Sequence, residues 1–283
     1  MMHELAREFF ARHPLVSFAG LGARDNAARL DLSPFGVDAT YHAAESAPEL
    51  VERYRAANLF SFPGELALPG WVLSDLYLLP GALGLLTCPA RHLRPPVRRR
   101  LGLGPDDLAI AAGYLGAPTV TPGLFIGVSL ISLLPGIHAG TWVKALTLRM
   151  LRAQRMRGVA QWANPSVRVH TRMGPLRVVG AVPGIHEFRS RSFVYETRLD
   201  DERTWEASMS RRIALEPTLR VHSSDEAALG RVLARAEAGE SLHVVAPGLD
   251  TSGHVLLFEG EPPKGADLAP FLRSFSRDED RVV

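Results

Sequence analysis

Leu124-Phe-Ile-Gly-Val-Ser-Leu-Ile-Ser-Leu-Leu134, followed by Pro135-Gly136 and then Ile137-His-Ala-Gly-Thr141, is the stretch on which the fold turns. The first piece is apolar, uncharged and of strand length, and Pro135-Gly136 is a turn signal that stops it. The small residues beyond it lead into a segment with Val143, Leu146, Leu148, Leu151 and Met156 at broadly helical spacing. This pattern predicts a helix over 141–157, closed by Gly158. A strand that ends in a small-residue turn and runs straight into a helix aims several backbone amides, and the positive helix end, at one point. Such a point suits a phosphate or pyrophosphate.

Downstream, a short strand is predicted over 159–163. Asn164-Pro165 then caps a second helix reaching Met173, Gly174 ends it, and strands follow over 176–182 and 192–199. Upstream, strands are predicted over 15–22, 71–79, 82–87, 108–114 and 124–134. A weak helical pattern covers 4–13, and Ser46-Ala-Pro-Glu49 has the Ser-x-x-Glu form of a helix start, for a helix over 48–58. Pro-Gly recurs at 63, 69, 80, 122, 135, 183 and 247, mostly after apolar runs, which suits a meandering sheet. After Arg198 the chain is charge-rich to Arg212. A strand over 218–222, a helix from Ser224-Asp-Glu to Ala238 closed by Gly239, and strands over 242–246 and 254–258 follow. The expected fold is α+β: a mixed, mostly antiparallel central sheet flanked by helices over 1–200, with a small βαββ extension over 201–283.

The 283 residues are 46% hydrophobic and 22% charged, enough for a sizeable core. The net charge of +2 comes almost wholly from arginine, with Lys144 and Lys264 the only lysines, and implies no nucleic-acid partner. Cys88 is the single cysteine, so an intramolecular disulfide and a multi-cysteine metal site are excluded, and a reducing, cytoplasmic setting is expected. The first residues lack the basic start and apolar core of a secretory signal. No Lys, Arg, Asp or Glu occurs between Leu108 and Val143, but Gly and Pro break that stretch repeatedly, so buried strands are expected and not a membrane span. The basic run Arg91-His-Leu-Arg-Pro-Pro-Val-Arg-Arg-Arg100 reads as a solvated loop and helix start, with a phosphate or acidic lipid as its functional alternative.

Asn164-Pro-Ser-Val-Arg-Val-His-Thr-Arg-Met-Gly174, Leu176-Arg-Val-Val-Gly180 and Phe193-Val-Tyr-Glu-Thr-Arg-Leu199, set after the strand, turn and helix described above, resemble the GNAT N-acetyltransferase superfamily. The resemblance covers about Leu108 to Leu199 and implies a diverged member. It implies a GNAT-like fold and a pyrophosphate-binding loop in which Gly140 matches, while Ile137 and Trp142 stand where Arg or Gln and a second small residue are usual. It further implies acyl transfer from acetyl-CoA or another acyl-CoA to an amine or hydroxyl of a small molecule. On that reading His138, Ala139, Gly140 and Thr141 hold the pyrophosphate, backbone groups near Ser132 and Leu133 align the thioester, and Asn164 opens the following helix. His170, counted back from Gly174, takes the place of the usual tyrosine acid, while counting forward from Asn164 puts Thr171 there, and His138 is the second candidate imidazole. An imidazole titrates near working pH, which fits it for that proton transfer.

Two other functions stay open. Lys144 lies among apolar neighbours, and a desolvated lysine can act as a Schiff-base nucleophile. Asp106-Asp-Leu-Ala-Ile-Ala-Ala-Gly-Tyr-Leu-Gly-Ala-Pro118 faintly resembles acetoacetate decarboxylase-like proteins. A lone helix lysine is ordinarily solvated. Alternatively, the charge-free strands enclose an apolar ligand without reaction. No metal-ligand spacing is present, so no metal is expected. A homodimer is compatible with all three readings.

Overall fold

The computed structural model describes residues 2–24, 39–62, 67–72, 81–181, 191–213 and 215–271. They form two compact units that divide between Ala153 and Gln154. Residues 154–200, expected in the same domain as the N-terminal part, pack with the C-terminal residues. The chain is α+β.

In the first unit, strands β1 (Ser17–Gly22), β2 (Ala39–Ala43), β3 (Ala82–Pro89), β4 (Leu108–Pro118) and β5 (Leu124–Ser132) lie in the order β2-β1-β3-β4-β5. β1 and β2 are parallel and the other neighbours antiparallel, so the sheet is mixed and mostly antiparallel. Almost every residue of β3 and β4 is buried, on both faces, which accounts for their lack of charge. On one face Leu85 and its register partner Gly113 meet the Pro48–Ser61 helix, where a Cβ on Gly113 would lie 2.6 Å from the Tyr54 ring. Leu21, Leu83, Leu85, Leu93 and Leu115 complete the core on that side.

On the other face Gly20, Gly84, Tyr114 and Leu130 are successive register partners across β1, β3, β4 and β5. The Ala139–Met150 helix crosses this row. Gly140 lies against Leu130, Lys144 over the Tyr114 ring at 5.8 Å, Thr147 over Gly84 and Met150 over Gly20. Steps of four, three and three residues keep these positions on one helical face. A Cβ on Gly84 would stand 1.7 Å from the Thr147 hydroxyl oxygen, and one on Gly20 2.7 Å from the Met150 sulfur. The two glycines therefore set how closely the helix approaches the sheet.

Several local expectations are corrected. The helix spans Ala139–Met150, not 141–157: Arg152 turns left-handed (φ 53°) and Ala153 donates to the Leu148 carbonyl, closing the last turn without a glycine. Gly158 instead lies inside the next strand, where a Cβ would meet the Tyr195 hydroxyl at 2.6 Å. Ser46 does not cap its helix; its hydroxyl donates to the Ala43 carbonyl, and Ala47 is the residue at the cap. Trp71 and Val72 are helical where a strand was expected, and the rest of that expected strand, 73–79, falls outside the described residues.

In the second unit, β6 (Arg155–Gln161), β7 (Leu176–Ala181), β8 (Ser192–Arg198), β9 (Leu219–His222), β10 (Leu242–Leu249) and β11 (His254–Glu259) lie in the order β6-β8-β7-β10-β11-β9. All these neighbours are antiparallel. The C-terminal βαββ segment forms as expected and joins the sheet through β10 on β7. Its Glu226–Glu237 helix starts where the Asp225 carboxylate accepts from the Ala228 amide (2.9 Å), and Gly239 (φ 95°) follows its end. The charge-rich 199–212 segment, for which no element was predicted, holds a helix, Glu202–Met209, capped by Asp201. Among the described residues no helix is long and apolar enough to cross a membrane.

Candidate functional site

The loop after β5 is tied down before it turns. The amides of Leu133 and Leu134 both donate to the Ala111 carbonyl (2.8 and 3.2 Å), so the chain stays on β4 past the strand end and the Leu133 amide is engaged. Gly136 (φ 84°) and His138 (φ 52°) then take left-handed conformations that swing the chain into the Ala139–Met150 helix. The His138 carbonyl accepts from Thr141 (2.9 Å) and Trp142 (3.1 Å). Ala139 and Gly140 are left as the first-turn amides that this carbonyl does not engage, at the positive end of a helix of 12 residues. A Cβ on Gly140 would lie 3.2 Å from the Ser132 Cβ, so the helix start abuts the strand end. His138 and Ser132 are exposed, while Leu133, Ala139, Gly140 and Thr141 are buried.

Trp142 has a packing role. Its ring stacks on Phe9 (4.9 Å between centroids, 26° between planes) and so holds the Met2–Arg12 helix against the first turn of the Ala139–Met150 helix. Trp142 thus serves a contact inside this unit.

Asn164 and His170 belong to the second unit. The Asn164 side-chain oxygen accepts from the Ser166 amide (2.8 Å) and starts the expected helix. That helix forms in two pieces, Ser166–His170 and a tighter turn Thr171–Met173, and Gly174 (φ 136°) ends it. His170 is buried, with its ring centroid 5.1 Å from that of Tyr195. The structure therefore gathers Ser132, Leu133, His138, Ala139, Gly140 and Thr141 in one unit, and Asn164 and His170 in the other.

Lys144 is not solvated. It is 0% exposed, and burial pushes its ammonium well below the ordinary lysine value. The low proton affinity suits a nucleophile, but a Schiff-base lysine must meet a carbonyl carbon, and Lys144 presents no surface at which one can arrive. No group of three His, Cys, Asp or Glu side chains suited to a metal is found among the described residues. The second unit also holds a cleft of about 260 Å3 that no sequence signal marks, lined by residues of four strands, among them Arg177 and His243. Arg177 in 176–181 and His243 in 242–245 each stand alone among apolar and small residues, a pattern that does not mark a polar face.

No family model matches the sequence, and no curated protein matches it. Similar solved structures include a domain from Methanocaldococcus jannaschii DSM 2661 (TM-score 0.36, 11% identity, covering 55% of this chain and 94% of that one). A proposed acetyltransferase of the GNAT family from Desulfovibrio desulfuricans is similar at TM-score 0.36 and 13% identity, over 65% of this chain and 99% of that one. A proposed acetyltransferase from T. thermophilus is similar at TM-score 0.32 and 16% identity, over 60% of this chain and 87% of that one.

Proposed function

We propose that the chain is a diverged GNAT-like acyltransferase that moves an acyl group from acetyl-CoA or another acyl-CoA to an amine or hydroxyl of a small molecule. The observation that carries this reading is the junction at Ser132–Thr141. There a strand end, a left-handed turn and the start of a 12-residue helix present the Ala139 and Gly140 amides at one point. Supporting it is the resemblance of residues 164–199, where an Asn-capped helix and two antiparallel strands follow.

On this reading the Ala139 and Gly140 amides and the helix dipole hold the pyrophosphate of the acyl donor. Thr141 fixes the first turn by donating its amide to His138. Backbone groups around Ser132 and Leu133 align the thioester arm. The acceptor nitrogen or oxygen attacks the thioester carbon, the C–S bond breaks, the acceptor gives up one proton and the thiolate takes one. His138, exposed beside the amides, is the imidazole proposed for those proton transfers.

Amide hydrogen exchange with and without CoA tests the reading. Protection centred on Ala139 and Gly140, and its loss in Gly140→Asp, is expected. No CoA-dependent protection there, together with no acyl transfer from an acyl-CoA panel, refutes it.

A further inference from the structure

Register places four side chains in a line on one face of the second unit's sheet. Arg157 of β6 lies opposite Glu196 of β8, Glu196 opposite Arg177 of β7, and Arg177 opposite His243 of β10. Glu196, Arg177 and His243 from this line help form the cleft of about 260 Å3, smaller than the roughly 300–1,000 Å3 pockets of drug-sized ligands. Lys264, on the segment after β11, lines it as well.

Most of the charges here already have partners. Glu196 accepts from Arg157 (2.8 Å) and Arg155 (3.4 Å), Arg198 is held by both oxygens of Asp200, and Lys264 reaches Glu261 at 3.3 Å. The Asp201 carboxylate is occupied in capping, by the Thr204 amide and hydroxyl. The Arg177 guanidinium makes no ion pair among the described residues, although a fork of this kind fits an oxyanion with two hydrogen bonds.

His243 adds a second requirement. Its Nδ1 lies 3.1 Å from the Gly260 carbonyl, which can only accept, so Nδ1 carries the proton. Burial lowers its pKa to about 4, against the pull of Glu261, so the ring is neutral and Nε2 is an acceptor. A ligand that satisfies both neighbours offers an anionic oxygen to Arg177 and an O–H to His243.

We propose that this cleft binds a small oxyanion that carries its own O–H donor, a chemistry shared by monoprotonated phosphate and α-hydroxycarboxylates. Arg177 and Lys264 receive the negative oxygens, and His243 Nε2 accepts from the hydroxyl. The assignment is independent of acyl transfer.

Calorimetric titration of the full chain with inorganic phosphate, with malate, and with sulfate and succinate as donor-free counterparts tests it. The imidazole 15N signals of His243 are followed in parallel. Saturable binding of phosphate or malate that moves the His243 signals is expected, and which of the two binds identifies the source. Arg177→Gln, at an exposed strand position, weakens binding by about tenfold or more, the loss of a charge-assisted hydrogen bond. Should that variant fail to fold, Lys264→Gln at the exposed rim serves in its place, with a smaller loss expected. No saturable binding of either probe, or binding unchanged in the folded variant, overturns the assignment. Equal binding of sulfate or succinate overturns the role given to His243.

Discussion

Replacing Lys144 by methionine tests the central claim about the first unit, that a helix lysine lies wholly inside it. Methionine keeps an unbranched chain of similar length and removes the titrating amine. Lys144 is 0% exposed, and burial holds its pKa well below the ordinary value of 10.5. Between the folded and unfolded values the unfolded chain binds a proton that the folded chain does not. Wild-type stability must therefore rise with pH across that window and fall as pH drops. One proton corresponds to a slope of at most about 1.4 kcal/mol per pH unit, or about 2.7 kcal/mol over two units. The Lys144→Met variant lacks this contribution. Urea unfolding of both proteins at several pH values below about 10 yields the difference in stability, from which the common titrations of Cys88 and Tyr54 cancel. The wild type gains on the variant as pH rises. A difference that stays flat over the window means that Lys144 keeps its proton in the folded state and refutes a pKa lowered by burial.

Gly84→Ala forces a Cβ to within 1.7 Å of the Thr147 hydroxyl, so the helix must lift. A loss of about 3 kcal/mol in urea unfolding is expected, partly recovered in Gly84→Ala/Thr147→Ala. His243, with its folded pKa lowered to about 4 from 6.5, withdraws stability as pH falls from 6.5 towards 4, because the unfolded ring takes up the proton first. The loss reaches about 3 kcal/mol at most and is absent in His243→Gln, as acid titration of the melting temperature will show. Asp201→Ala removes acceptors for the Thr204 amide (3.1 Å) and hydroxyl (2.6 Å), and about 1 kcal/mol of stability with them, measurable by thermal unfolding.

What the sequence made legible was local. Asp225 and Gly239 bracket their helix, Asn164 starts another, and the charge-free residues of β3 and β4 mark a sheet buried on both faces. Each of these signals lies within a few residues of its consequence. The misreadings have the opposite character. Gly158 reads as a helix stop but makes room for Tyr195, which lies opposite it on β8. Lys144 reads as a solvated side chain because nothing near it in sequence reveals that Gly84 and Gly20 draw the helix onto the sheet. Within 199–212, Asp201-Glu-Arg-Thr204 was a cap signal that the density of charge obscured. The candidate loop was visible as strand, turn and helix. The engagement of the Leu133 and Thr141 amides was not, because it depends on the Ala111 and His138 carbonyls.

The row of Gly20, Gly84, Tyr114 and Leu130 also orders events during folding. Each of these residues comes from a different strand, and the helix that covers them begins only at Ala139. The surface on which the helix docks exists only once β1, β3, β4 and β5 have found one another, and the pairing of β1 with β3 must close the long segment 23–81, a slow step. Docking of the helix is thus expected as a late step, with its contacts absent from the transition state. Changes at Thr147 or Met150 should act on how fast the unit unfolds and leave the rate of folding almost untouched.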